Sequence, residues 1–161
     1  MDPLTASEIR DSFVNCSKGE TTRIGLPDLD TPDWEHLDFI GWSDPASPSR
    51  CYLVTRHDGR LVGVALRPAS GGSRQAQMCK ICLTTHPSGG VSLMNARKAG
   101  AAGRQGNSVG TYICSDLACS LYARNKKSPS LGRQYREDLD VDAKVDRVRT
   151  NLAAFVARVE H

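Results

Sequence analysis

The sequence predicts an α+β fold: an antiparallel sheet with a short helix before it and a long helix after it. Three observations lead there. Short β-rich runs separated by turn residues occupy the middle of the chain, between Leu37 and Cys114. A capping pattern near the start and a 3.6-residue apolar stripe near the end each mark a helix. Four cysteines in two pairs, Cys79-x-x-Cys82 and Cys114-x4-Cys119, place a metal-binding knuckle among the strands.

Thr5-Ala6-Ser7-Glu8 matches a capping box, and Ile9, Phe13 and Cys16 follow at i, i+4 and i+7. A short amphipathic helix is therefore expected over residues 5–18, ending near Gly19. Gly25 to Trp34, rich in Pro, Asp and Thr, reads as an irregular connection. Leu37–Trp42, Cys51–Thr55 and Leu61–Leu66 read as strands, with His57-Asp58-Gly59 as a tight hairpin between the last two. His57 is a turn residue in this reading, because no nucleophile or acid is marked out beside it. Pro68 to Gln77 is a flexible passage into the knuckle. Val91–Ala96 and Val109–Cys114 form a further pair of strands. Gly100, Gly103, Gly106 and Gly110 lie in the loop between them, with Arg104. They do not open a helix after a strand, so a mobile hairpin tip is expected rather than a phosphate loop. Val141, Val145, Val148, Leu152, Phe155 or Val156, and Val159 share one helical face, which predicts a helix over residues 140–160 packed on the sheet through that stripe.

The cysteine spacing carries chemistry. Zinc favours tetrahedral thiolate coordination, and a Cys-x-x-Cys turn lets two sulfurs converge while nearby backbone N–H groups point at them. Thr111 to Cys114 reads as a strand end and Ser115 to Tyr122 as a capped helical turn, so Cys119 projects back toward Cys114. Knuckle, hairpin and helix make a treble clef, with one structural zinc on Cys79, Cys82, Cys114 and Cys119. Disulfides require an oxidising compartment, and Met1 to Ala6 lacks a basic region followed by an apolar run. A redox Cys-x-x-Cys opens a helix in a βαβ context, whereas Leu83 to Gly90 is loop chemistry. His86 is a rival ligand, but it precedes a proline in that loop, and two further cysteines are available. Cys16 and Cys51 stand alone and read as small core residues.

Length and charge bound the partners. A chain of 161 residues with 39% apolar and 24% charged residues suits one domain with a real core. No apolar stretch approaches the roughly 20 residues that span a bilayer. With no export signal visible, the expected location is the cytoplasm, without membrane contact. Residues 1–48 hold 3 basic and 10 acidic groups, and residues 49–132 hold 12 and 2. A zinc tetrathiolate is formally dianionic, so part of that basic surplus neutralises the site. The remainder suits either a polyanionic or acidic partner surface, or an intramolecular match with the acidic N-terminal segment.

Leu37-Asp38-Phe39-Ile40-Gly41-Trp42-Ser43-Asp44, the hairpin through Gly63, the Cys-x-x-Cys knuckle, Val91 to Arg97, and Gly110-Thr111-Tyr112-Ile113-Cys114 carry a resemblance over about residues 35–127. Together they resemble the C-terminal treble-clef zinc-finger (FBP) domain of elongation factor G-binding proteins, a family that includes fusidic-acid-resistance proteins. The resemblance implies a zinc cage on the four cysteines and elongation factor G on the ribosome as partner. It also implies contact through basic and aromatic residues near the finger, for which Lys80, Arg97, Lys98, Arg104, Tyr112, Lys126 and Lys127 are the candidates. The family's N-terminal helical domain is expected to be absent or reduced to the helix near Ile9, and resistance itself is not implied.

The resulting expectation is a noncatalytic zinc-binding module that engages elongation factor G or the translating ribosome. Direct RNA binding is the alternative, with Arg and Lys contacting phosphates and Tyr stacking a base. An enzyme ranks below both, because four thiolates close the zinc shell and no Ser-His-Asp, paired-carboxylate or Cys-His constellation is present.

Overall fold

A computed structural model describes residues 1–131 and 137–161. Five strands form one antiparallel sheet in the order β1-β2-β3-β6-β7: β1 (Phe39–Asp44), β2 (Ser47–His57), β3 (Arg60–Pro68), β6 (Val91–Arg97) and β7 (Ser108–Cys114). Between β3 and β6 the chain leaves the sheet to form a two-stranded ribbon, β4 (Gln77–Met78) with β5 (Thr85–His86). The long helix α5 (Val141–Glu160) lies against one face of the sheet, and the N-terminal segment covers part of the other.

Burial on both faces explains why β2 and β3 read as continuous apolar runs rather than alternating ones. Cys51, Leu53, Val62, Val64 and Leu66 belong to the core that includes Val145, Val148, Leu152, Phe155, Val156 and Val159 of α5. Tyr52 and Val54 turn the other way, toward Leu4, Ile9, Phe13, Ile24 and Trp34. The helical stripe is thus core, as its spacing predicts, except that Val141 at its first position is exposed. Asp140 caps α5 by accepting from Ala143 N at 2.7 Å.

The N-terminal helix is shorter than expected. The Thr5/Glu8 capping box is present, but α1 (Ala6–Asp11) stops before Phe13. There the backbone crosses β3: Gly63 N donates to Ser12 O at 2.9 Å and Val14 N to Gly63 O at 3.0 Å. A Cβ at Gly63 would lie 2.6 Å from Ser12 Oγ and 3.0 Å from the Phe13 ring, so a side chain there would have to displace both. A second capping box, Ser17 with Glu20, then starts α2 (Lys18–Thr22), which contains Gly19 instead of ending at it. Cys51 is core, whereas Cys16 is only half-buried.

The β2–β3 hairpin turns through Asp58 and Gly59, both with positive φ (49° and 77°), as the sequence signal requires. The β6–β7 connection departs from the expected mobile tip. It holds a short helix, α3 (Gly100–Arg104), anchored where Ala99 N donates to Val159 O of α5 at 2.8 Å. A side chain at Gly103 would collide with Lys98 O, so this glycine serves close packing.

Candidate metal centre

Cys79 and Cys82 lie between β4 and β5, Cys114 ends β7, and Cys119 begins α4 (Cys119–Ala123). Backbone pairing draws the two halves together. β7 is an edge strand, and its open side accepts the knuckle: Lys80 N donates to Tyr112 O at 2.8 Å. The knuckle closes through Leu83 N to Cys79 O at 3.0 Å, with Leu83 at φ 59°. On the other side Leu117, at φ 56°, reverses the chain between Cys114 and Cys119. Two leucines in the left-handed region are unfavourable locally and are held by the surrounding structure.

All four sulfurs are buried and lie within 4.8 Å of one another. The separations Cys79–Cys119 and Cys82–Cys114 are 3.7 and 3.5 Å. A tetrahedral ion with Zn–S bonds of about 2.3 Å sets its sulfurs about 3.8 Å apart, so the set fits zinc closely. The protonation pattern agrees with a cage that needs a cation. Hydrogen bonds from Cys114, Cys119 and Cys82 push the Cys79 thiol far down. Cys119 is pushed well up by burial and by Cys114, Cys79 and Cys82. Cys114 is pulled down by Cys119, but Cys79, Cys82 and burial outweigh this and raise it. One thiolate forms at the expense of the others, and a divalent ion removes that conflict.

Residues far away in sequence support the cage. Ile81 N and Cys82 N point at Cys79 Sγ at 3.3 and 3.4 Å, as a knuckle requires. From α5, Arg147 donates to Cys82 O at 2.9 Å and Asn151 to Ile81 O at 3.0 Å. His86 is not one of the four clustered ligands, nor is it an exposed loop residue. It is buried in β5 with Nε2 3.2 Å from Cys114 Sγ and its ring edge-on to Tyr122. Burial holds its pKa below the usual value. In the Nε2-protonated tautomer the neutral ring would donate to Cys114 Sγ and disperse the charge of the zinc-bound thiolate. The sequence carried no signal for Arg147 or Asn151, which lie 65 and 70 residues from their partners.

The seven basic and aromatic candidates fall into separate groups. Lys80 and Tyr112 are exposed and joined by the backbone bond above; Met78, exposed two residues earlier, was not singled out by the sequence. Lys126 and Lys127 follow α4, where Lys126 pairs with Asp33 at 3.6 Å and Lys127 with Asp116 at 2.7 Å. Arg97, Lys98 and Arg104 lie at the other end of the β6–β7 hairpin. Arg97 pairs with Ser108 in register and Val91 with Cys114, a separation of roughly 20 Å along the strand. Arg97 is also held by Glu20 at 3.1 Å.

Fold and site together define a treble-clef zinc-binding protein. The chain matches the family described as FBP C-terminal treble-clef zinc-finger over residues 8–159, and it belongs to that family. Zinc is accordingly its metal, and the four-cysteine cluster is the site that fits it. Among solved structures it is similar to the fusidic acid resistance protein FusC, with a TM-score of 0.63 and 16% identity. That similarity covers 99% of this chain and 60% of FusC, so the chain spans less than two thirds of that protein's length. Comparison with curated proteins finds no match.

Proposed function

We propose that residues 1–161 form one noncatalytic, zinc-stabilised binding module that engages elongation factor G or the translating ribosome. The observation that carries this reading is the exposed rim at the knuckle: Met78, Lys80 and Tyr112 face solvent, while the sulfurs beneath are buried and close the metal shell. A closed shell offers structure rather than an open coordination position for substrate. Apolar and aromatic side chains beside a cation suit a protein interface, where Tyr and Met are enriched. Membership of the FBP family supports the choice of partner. Among the described residues no helix is long and apolar enough to cross a membrane, and the proposed location is the cytoplasm.

The test is retention of purified elongation factor G by the immobilised full chain, with and without nuclease. Retention after RNA removal supports the reading. Lys80→Glu with Tyr112→Ala should weaken it about tenfold or more while leaving zinc content unchanged. Loss of the factor on nuclease treatment, or unaltered binding by the double variant, overturns it.

A further inference from the structure

We infer that the groove over the diverging ends of β3 and β6 is a binding site for phosphate groups, those of a free nucleotide or of an RNA strand. The groove begins where the sheet opens. The strand register between β3 and β6 is Arg67–Asn95 and Pro68–Met94, continued on one side by Ala69 N donating to Leu93 O at 2.8 Å. Beyond those pairs Asn15 fills the gap: its Nδ2 donates to Ala65 O at 3.0 Å and Arg97 O at 2.9 Å, and its Oδ1 accepts from Ala65 N at 2.9 Å. A side-chain amide thus replaces a missing strand neighbour and fixes a polar floor. Above it lies a cavity of about 670 Å³ whose walls carry Arg23, Arg50, Arg67 and Arg97.

Charge gives the cavity its chemistry. Among the described residues Glu20 is the single carboxylate on its walls, and both its oxygens take Arg97 at 3.1 Å. Arg23, Arg50 and Arg67 have no side-chain hydrogen bond or ion pair among the described residues, and residues 132–136 contain no Asp or Glu. Cys16 adds no anion, because burial, reinforced by Glu20, pushes its thiol up to about 11. Three uncompensated guanidinium groups therefore share one concave site, where low-dielectric walls focus their potential.

The ligand class follows from number and shape. Each guanidinium is a planar fork that matches phosphate oxygens, and several together call for an anion of more than one charge. A lone carboxylate would leave most of them unneutralised. The volume lies within the roughly 300–1,000 Å³ of small-molecule sites and exceeds what an isolated phosphate fills. Asn95 and Ser108, also on the walls, add neutral polar contacts for a nucleotide-sized body. Neither Arg50 nor Arg67 belongs to the rim of Met78, Lys80 and Tyr112, so this site stands or falls separately from the binding of elongation factor G.

The experiment titrates the full-length zinc-loaded chain with adenosine diphosphate, with a labelled uridine oligonucleotide of about ten residues, and with a glutamate-rich peptide as carboxylate control. At least one phosphate probe should bind, and Arg50→Glu with Arg67→Glu should weaken it about tenfold or more, with a shallower salt dependence. Both arginines are exposed, so zinc content and melting temperature should hold and exclude misfolding as the cause. Binding of the diphosphate assigns the free nucleotide, and binding of the oligonucleotide alone assigns the RNA strand. Absence of binding by both phosphate probes, undiminished binding by the double variant, or equally tight binding of the peptide overturns the inference.

Discussion

Lys80 and Tyr112 are joined by a backbone hydrogen bond of 2.8 Å, which fastens the knuckle to the open edge of β7. The bond places Cys79 and Cys82 beside Cys114, and it makes the sheet edge and the metal cage depend on each other. An edge strand that would otherwise offer unpaired groups is partly covered by the knuckle.

Metal removal should therefore reach into the sheet. One zinc per chain is expected by elemental analysis of protein purified without chelator. Chelation should loosen the segment from Cys79 to Lys127, because structural sites in zinc-finger peptides contribute on the order of 10 kcal/mol of apparent folding free energy. Hydrogen exchange on β7 and the knuckle reads this directly. Cys79→Ser should be far more damaging than Cys51→Ser, although both residues are buried, since only the first belongs to the sulfur cluster. Equal damage from the two would refute the ligand assignment.

His86→Ala should lower zinc affinity by about 10- to 100-fold while keeping one zinc per chain, the usual range for a group that supports a metal ligand. The reason is the loss of the imidazole whose Nε2 lies 3.2 Å from Cys114 Sγ. Competition with a chromophoric chelator measures it. An unchanged affinity would mean that the imidazole only fills space against Tyr122.

Asp38 joins the finger to α5: its carboxylate takes Arg124 at 2.6 Å and Arg149 at 2.9 Å, with its side chain 2% exposed. Burial alone would raise its pKa, but Arg124 and then Arg149 outweigh it and hold the carboxyl below its ordinary 3.8. A depressed folded pKa adds stability that is present above pH 3.8 and is lost as pH falls through the folded value. Asp38→Asn should cost about 3–5 kcal/mol at neutral pH, as expected for breaking a buried pair. The gap between variant and parent in denaturant titrations should narrow in strong acid; a gap independent of pH would rule out the carboxylate's charge as its source.

The acidic N-terminal segment and the basic middle meet in the fold through Glu20–Arg97 and Asp33–Lys126. Glu20→Gln with Asp33→Asn should uncover this positive charge and delay elution from heparin, with a melting temperature close to the parent's. Exposed pairs contribute only about 0–1 kcal/mol each, so the effect should appear in polyanion retention rather than stability. Identical elution would show that Arg97 and Lys126 are already fully available to a polyanion. Removing residues 1–33 altogether is a poorer test, because Leu4, Ile9, Phe13 and Ile24 belong to the core.

The local signals in the sequence were strong wherever chemistry is local. The cysteine spacing named the cage, because a Cys-x-x-Cys turn is a short-range geometry, and Asp58-Gly59 named the hairpin through backbone sterics. The stripe from Val145 to Val159 located α5 because 3.6-residue periodicity survives packing. The same reasoning overran at α1, where the stripe continues through Phe13 and Cys16 but the backbone leaves the helix to cross Gly63.

What the sequence by itself determined is the five strands of the main sheet, the long C-terminal helix, the start of the N-terminal one and the four sulfurs, all governed by contacts between near neighbours along the chain; it read the β4–β5 ribbon as loop. Tertiary structure alone decided how β3 and β6 diverge around Asn15, why His86 faces Cys114, and which basic groups are already paired. It also divided the basic candidates between two ends of one hairpin. Those outcomes depend on long-range backbone pairing and on charges brought together from distant segments, and one-dimensional spacing carries no record of either.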